Sequence, residues 1–198
     1  MAHLNLVMIH PFSDGNGRMG RCLQTLVLAR AGITAPIFSS IEEYLGRNTR
    51  AYYDVLAQVG AGAWNPTRDC RPWIRFCLTA HYRQAMTFLR RTREIEKICD
   101  ELEVRIKRAG LPERGVLALA DAAVGYRVRN PTYRSIAEVT DATAGNDLRQ
   151  LVKAGFLVPH GEKRGRFYTA SPMVQEIRRK VAEPKQVADP FDPAPART

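Results

Sequence analysis

No apolar run in this 198-residue chain approaches the length of a membrane-spanning helix, so a transmembrane reading finds no support. The opening Met1-Ala2-His3-Leu4-Asn5 lacks a basic region leading into an apolar stretch and a cleavage site, so no secretory signal is expected. Cysteine is sparse. Cys22, Cys70, Cys77 and Cys99 are scattered without the paired spacing of a metal site, and three of them fall in expected helices, where a reduced thiol packs as a small hydrophobe. These features make the cytoplasm the expected compartment, with no membrane partner. Acidic charge is also short: the net charge is +10, which favours polyanionic partners such as nucleotides, nucleic acid or acidic protein faces. The length allows one or two domains, and an apolar fraction of 45% is ordinary for a globular chain.

What the chain does have is concentrated in His10-Pro11-Phe12-Ser13-Asp14-Gly15-Asn16-Gly17-Arg18-Met19-Gly20-Arg21. Gly15 and Gly17 allow positive φ and a close backbone approach, so successive amides can face one concavity. The residues that follow read as a helix over Met19 to Arg30, and a loop feeding a helix N-terminus is an anion site. Arg18 and Arg21 share one helix face and suit a di- or triphosphate. Asp14 offers an oxygen ligand for Mg2+. His10 can take a proton near neutral pH. Together these parts describe phosphoryl or nucleotidyl transfer to a hydroxyl.

The pattern His-Pro-Phe-x-Asp-Gly-Asn-Gly-Arg-x-x-Arg resembles the signature of the Fic family, matched at every fixed position. The similarity extends through Ala2, His3, Ile9, Ser40, Tyr52, Tyr53, Leu56 and Trp73, roughly the first hundred residues. The resemblance implies a helical bundle that transfers AMP from ATP to a Ser, Thr or Tyr hydroxyl of a target protein. His10 would be the general base. Asp14, Gly15, Asn16, Gly17, Arg18, Met19, Gly20 and Arg21 would hold the nucleotide, with Asp14 on Mg2+ and the Asn16 side chain at the α-phosphate. Arg18 and Arg21 would bind the departing phosphates, and Phe12 would anchor the loop by burying its ring. Tyr52 and Tyr53 are implied to lie beside the nucleotide, while helical spacing equally allows both simply to pack. A phosphorylating Doc-like relative is disfavoured by Gly17, where that pattern carries Lys or Arg. The family's upstream helices, flap and inhibitory helix have no counterpart here. The expectation is therefore an N-terminally truncated Fic domain with slight turnover, self-associating as a homodimer through an uncovered apolar face. A non-catalytic, nucleotide-sensing and DNA-binding regulator is the alternative.

Further along, Met19 to Ala31 reads as a helix apolar nearly all round, and Ser40 to Glu43 fits a capping box. Pro72 opens a long helix with a buried stripe, on which Arg90, Arg91 and Arg93 read as a solvated face. Gly110-Leu111-Pro112 suggests a boundary. Helices are expected over Glu113 to Val124, Thr132 to Val139 and Thr143 to Ala154, then strands about Gly155 to Val158 and Arg166 to Thr169. This order resembles a winged helix-turn-helix, whose contacts to nucleic acid would be Arg149, Lys153, Lys163, Arg164 and Arg166. Asp147 on the recognition helix, and fourteen basic against ten acidic residues after Gly110, temper that view and leave protein binding equally open. The expected fold is mainly α: residues 1–109 as the rear of a Fic domain, 110–172 as a winged helix, and 173–198 as a helical extension with a disordered Pro-rich tail.

Overall fold

A computed structural model describes residues 1–35, 40–162 and 165–192 of the chain. The architecture is mainly helical, with one two-stranded antiparallel sheet among the described residues. Two packing units emerge, residues 1–89 with 185–198, and residues 90–184. The division falls inside the long helix rather than at Gly110, because Ile98, Leu102 and Ile106 on that helix bury themselves in the second unit's core.

In the first unit, α1 (Ala2–Ile9) and α2 (Asn16–Arg30) flank the motif loop. They are followed by α3 (Glu42–Arg47), α4 (Thr49–Gly60) and the opening half of α5 (Arg71–Arg108). Tyr52, Val55, Leu56 and Val59 recur at helical spacing on α4 and meet Leu4, Ile41, Leu45, Trp73 and Ala80 in one core. The full burial expected around α2 is not seen: Leu26 is 57% exposed, and Cys22, expected to pack, is exposed as well. Ser40 does not form a capping box, since its hydroxyl accepts weakly from the Glu42 amide at 3.4 Å and no side chain caps α3. The Glu42 carboxylate is drawn elsewhere.

In the second unit, α6 (Gly115–Val124), α7 (Asn130–Ile136) and α8 (Asp141–Lys153) precede β1 (Leu157–His160), β2 (Phe167–Ala170) and α9 (Pro172–Val181). The Thr140 hydroxyl accepts from the Thr143 amide and starts α8, and Pro131 and Pro172 sit in the first turns of α7 and α9. Ala144, Leu148 and Leu151 point one face of α8 into the core, each large side chain contributing about 1.5–3 kcal/mol by burial. β1 and β2 pair from Leu157 with Ala170 to His160 with Phe167, and Val128 forms a single bridge to Tyr168.

One expectation on exposed charge is corrected here. Arg90 is not on a solvated face but forms a mostly buried ion pair with Glu94. Acids of the segment from Glu183 to Asp192 lie against α5 cations, which a reading of proline content does not see. Glu183 bonds Arg93 and Lys97 in the second unit, each at 2.8 Å, and Asp192 accepts from Arg75 at 3.2 Å in the first. Residues 193–198 of the expected Pro-rich tail lie outside the described residues, as do Lys163 and Arg164.

Candidate active site

α1 ends at His10, which closes the helix in the left-handed conformation at φ 54°, its amide bonded to the Leu6 carbonyl. A non-glycine residue held there is strained, and strain of this kind concentrates at functional sites. Nδ1 of His10 lies 3.2 Å from the Val7 carbonyl, so the ring nitrogen that donates is fixed locally. Nε2 is left as the basic atom on an exposed side chain.

The chain then turns through Pro11 to Gly15, where φ is 85°, a conformation glycine adopts without penalty. Asn16 pins the turn. Its Oδ1 accepts from the Phe12 amide at 3.0 Å, and its Nδ2 donates to the Phe12 carbonyl at 2.6 Å. Asn16 is 3% exposed, and its side chain shapes the loop through these two bonds. Phe12, expected to bury its ring, is 46% exposed, and its backbone amide and carbonyl are the groups bonded to Asn16.

α2 opens at Asn16 without a side-chain cap, so its first-turn amides lack intrahelical acceptors at the positive end of the helix dipole. The arginines fold back over this opening. A Cβ at Gly15 would stand 3.5 Å from an Arg18 guanidinium nitrogen, and one at Gly17 would stand 3.5 Å from Arg21. Arg18 bonds Asp14 at 3.0 Å, and Asp14 also accepts from the Gly15 amide at 2.6 Å. Arg21 donates through Nε to Glu42 at 2.9 Å, so the acid expected to cap α3 instead holds a motif arginine.

Met19 is exposed on this first turn, whereas Gly20 is buried and plays a packing role, away from the loop. A Cβ there would lie 2.9 Å from the His3 ring and 3.0 Å from Val7, so the glycine lets α1 and α2 touch. The tyrosines divide. Tyr53 is 63% exposed, while Tyr52 is buried with its hydroxyl bonded to His3 Nε2 at 3.0 Å. His3 Nδ1 donates to Gln24 at 2.9 Å, and the Gln24 amide donates to His81 at 3.1 Å. Burial holds the His3 imidazole below the usual histidine range, against the opposing Gln24 hydrogen bond and with Arg21 adding to the lowering. Burial likewise pushes the Tyr52 hydroxyl up.

This network beneath the loop escaped the sequence reading. A histidine within the short, otherwise apolar α1 is the one signal that pointed to it.

For Mg2+, no group of three His, Cys, Asp or Glu side chains converges among the described residues. The exposed Asp14 alone fits an ion that arrives on phosphates, since Mg2+ is commonly held by one or two carboxylates plus substrate oxygens.

The motif loop thus brings together an uncapped helix N-terminus, two arginines folded back towards it, and a histidine held in the left-handed conformation at the end of α1. Residues 1–28 match the Fic/DOC family model. The chain is 38% identical over 95 residues to the protein adenylyltransferase Fic of Aedes aegypti, covering 48% of this chain and 17% of that relative. The Nematostella vectensis protein of the same name is 34% identical over 111 residues, covering 51% of this chain and 23% of the relative. Protein adenylyltransferase fic-1 of Caenorhabditis elegans is 39% identical over 77 residues, 38% of this chain and 13% of the relative. The chain thus spans less than a quarter of the length of these relatives.

Proposed function

We propose that this chain transfers AMP from ATP to a Ser, Thr or Tyr hydroxyl of a target protein. The observation that carries the reading is His10, whose Nδ1 is committed to the Val7 carbonyl, on the loop that leads into the uncapped α2 N-terminus. The names of the relatives, all protein adenylyltransferases, supply the nucleotide and the class of acceptor.

In this mechanism the acceptor oxygen attacks the α-phosphorus, and the bond from that phosphorus to the β-phosphate oxygen breaks. Pyrophosphate leaves with the electron pair, and the hydroxyl proton passes to His10 Nε2. The amides of Asn16, Gly17 and Arg18 hold the α-phosphate in a preorganised anion hole. Arg18 and Arg21 take the β- and γ-phosphates by exchanging Asp14 and Glu42 for them. A Mg2+ ion held by Asp14 would neutralise phosphate charge. Tyr53 offers an exposed ring to the nucleotide.

The test uses ATP labelled on the α- or the γ-phosphate, incubated with the full chain and candidate acceptor proteins. Label from the α-position alone should enter protein, and His10→Ala should lower the rate about a hundredfold to ten-thousandfold while ATP affinity is kept. Entry of γ-label, or an equal loss of ATP affinity, would refute the assignment.

A second reading concerns residues 110–172, proposed as a winged-helix nucleic-acid module. It is favoured by Asp147, which counted against it as an acid on the recognition helix but is 2% exposed. Its carboxylate takes Arg114 at 2.7 Å and the Tyr133 hydroxyl at 3.0 Å. Past the first turn, where the exposed Asp141 lies 3.7 Å from Arg134, the exposed side of α8 carries Ala142, Asn146, Arg149 and Lys153, and Arg166 is exposed beyond β1. Binding of duplex DNA followed by anisotropy should weaken in Arg149→Ala and Lys153→Ala and fall with added salt. Insensitivity to both changes would exclude this face.

A further inference from the structure

Within the first unit, a cavity of about 330 Å3 lies apart from the motif loop and shares no lining residue with it. Three cations reach it from three separate stretches: Arg47 on α3, Arg83 on α5, and Lys185 in the C-terminal segment. One acid, Glu43, is among the lining residues and is engaged by Arg47 at 2.8 Å. Arg83 and Lys185 have no carboxylate partner among the described residues.

Arg83 is the informative member. Its Nε is buried with no acceptor among the described residues, and one terminal guanidinium nitrogen lies 3.4 Å from the Tyr44 hydroxyl. The terminal nitrogens are the donors an arginine presents to an anion in a cleft. Asn48 and Thr87 add polar atoms to the wall, and Tyr44 contributes a ring.

We propose that this cavity binds a small organic phosphate monoester, with Arg83, Lys185 and Arg47 around the phosphate and the Tyr44 ring against the organic body. Convergence of cations from three stretches suits a multiply charged anion, and arginine forks match phosphate oxygens in pairs. The space exceeds that of a bare phosphate ion and falls at the lower end of ligand-sized clefts. Because Glu42, which holds Arg21, and Glu43, which lines this cavity, are neighbours on α3, both sites lean on the same short helix. The inference stands on the cavity alone and does not depend on AMP transfer at His10.

Calorimetric titration of the full chain with ribose 5-phosphate tests it, with succinate as a carboxylate control. Ribose 5-phosphate should bind and succinate should bind far more weakly. Arg83→Gln should raise the dissociation constant about tenfold or more, and Lys185→Gln, at an exposed position, about threefold. Arg18→Ala combined with Arg21→Ala should change it by less than about twofold. If Arg83→Gln fails to fold, Lys185→Gln decides. Absence of binding, succinate binding as tight as that of ribose 5-phosphate, or loss of binding in the Arg18/Arg21 variant instead, would each overturn the proposal.

Discussion

Gly20→Ala is a sensitive probe of how the candidate active site is held. In an exposed helix, replacing glycine with alanine stabilises by about 1 kcal/mol, because the chain loses less entropy on folding. Gly20 should reverse that sign. The added Cβ would stand 2.9 Å from the His3 ring and 3.0 Å from Val7, closer than carbon atoms pack. The His3 ring cannot easily give way, since Tyr52 and Gln24 hold its two nitrogens and Trp73 meets it edge-on with centroids 5.0 Å apart. Overpacking of this kind costs about 1–3 kcal/mol, so the net effect is a loss of roughly 0–2 kcal/mol, or up to about 10 °C in melting temperature for a unit of this size. Gly46 is the control: it is also helical, a Cβ there meets nothing within 4 Å, and Gly46→Ala should therefore raise stability. Thermal and urea unfolding of both variants checks the pair. A Gly20→Ala protein as stabilised as Gly46→Ala would show that α1 and α2 are not locked at this point.

Glu42→Gln should release Arg21 and tighten ATP binding about two- to fivefold, the range expected for a partly exposed ion pair, and unchanged or weaker affinity by calorimetry would deny the contact its competing role. Glu183 should make the C-terminal segment acid-sensitive: Arg93 and Lys97 lower its carboxyl to about 2. A folded value below the unfolded one stabilises above the unfolded carboxyl range and loses that contribution as pH falls towards 2. The melting-temperature gap between wild type and Glu183→Gln should therefore be open near neutral pH and close by about pH 2, and a gap that does not vary with pH would contradict the clamp.

The motif was legible because its determinants are local: the turn, the helix opening and the arginines lie within twelve consecutive residues, from His10 to Arg21. Some readings that missed were within reach of helical periodicity. Tyr52 falls on the stripe formed with Val55, Leu56 and Val59, whereas Tyr53 lies about 100° round the helix, so adjacent tyrosines could not share one environment. Asp147 stands three residues after Ala144 and four before Leu151, which puts it on the buried face of α8. Its burial is tolerated because Arg114, from just before α6, supplies the countercharge. That partner was beyond any local pattern, as were the pairs Arg21–Glu42 and Arg93–Glu183. Each joins residues far apart in sequence, and neither composition nor spacing encodes which cation an acid will meet.

The same distinction separates the residues proposed to react from those that aim them. His10 lies beyond the last turn of α1, so its place relative to the α2 amides depends on how α1 meets α2. Their close contact runs through Gly20 and His3, and His3 is oriented in turn by Tyr52 on α4 and by Gln24 on α2. A shift of about an ångström at such a contact is enough to misalign an in-line transfer and cost about a hundredfold in rate. Gly20 thus belongs with the chemistry although it touches no ligand: it fixes the distance across which His10 and the anion hole would have to cooperate. Its position inside the motif follows from packing, just as the positions of Gly15 and Gly17 follow from the loop's turn and the opening of α2.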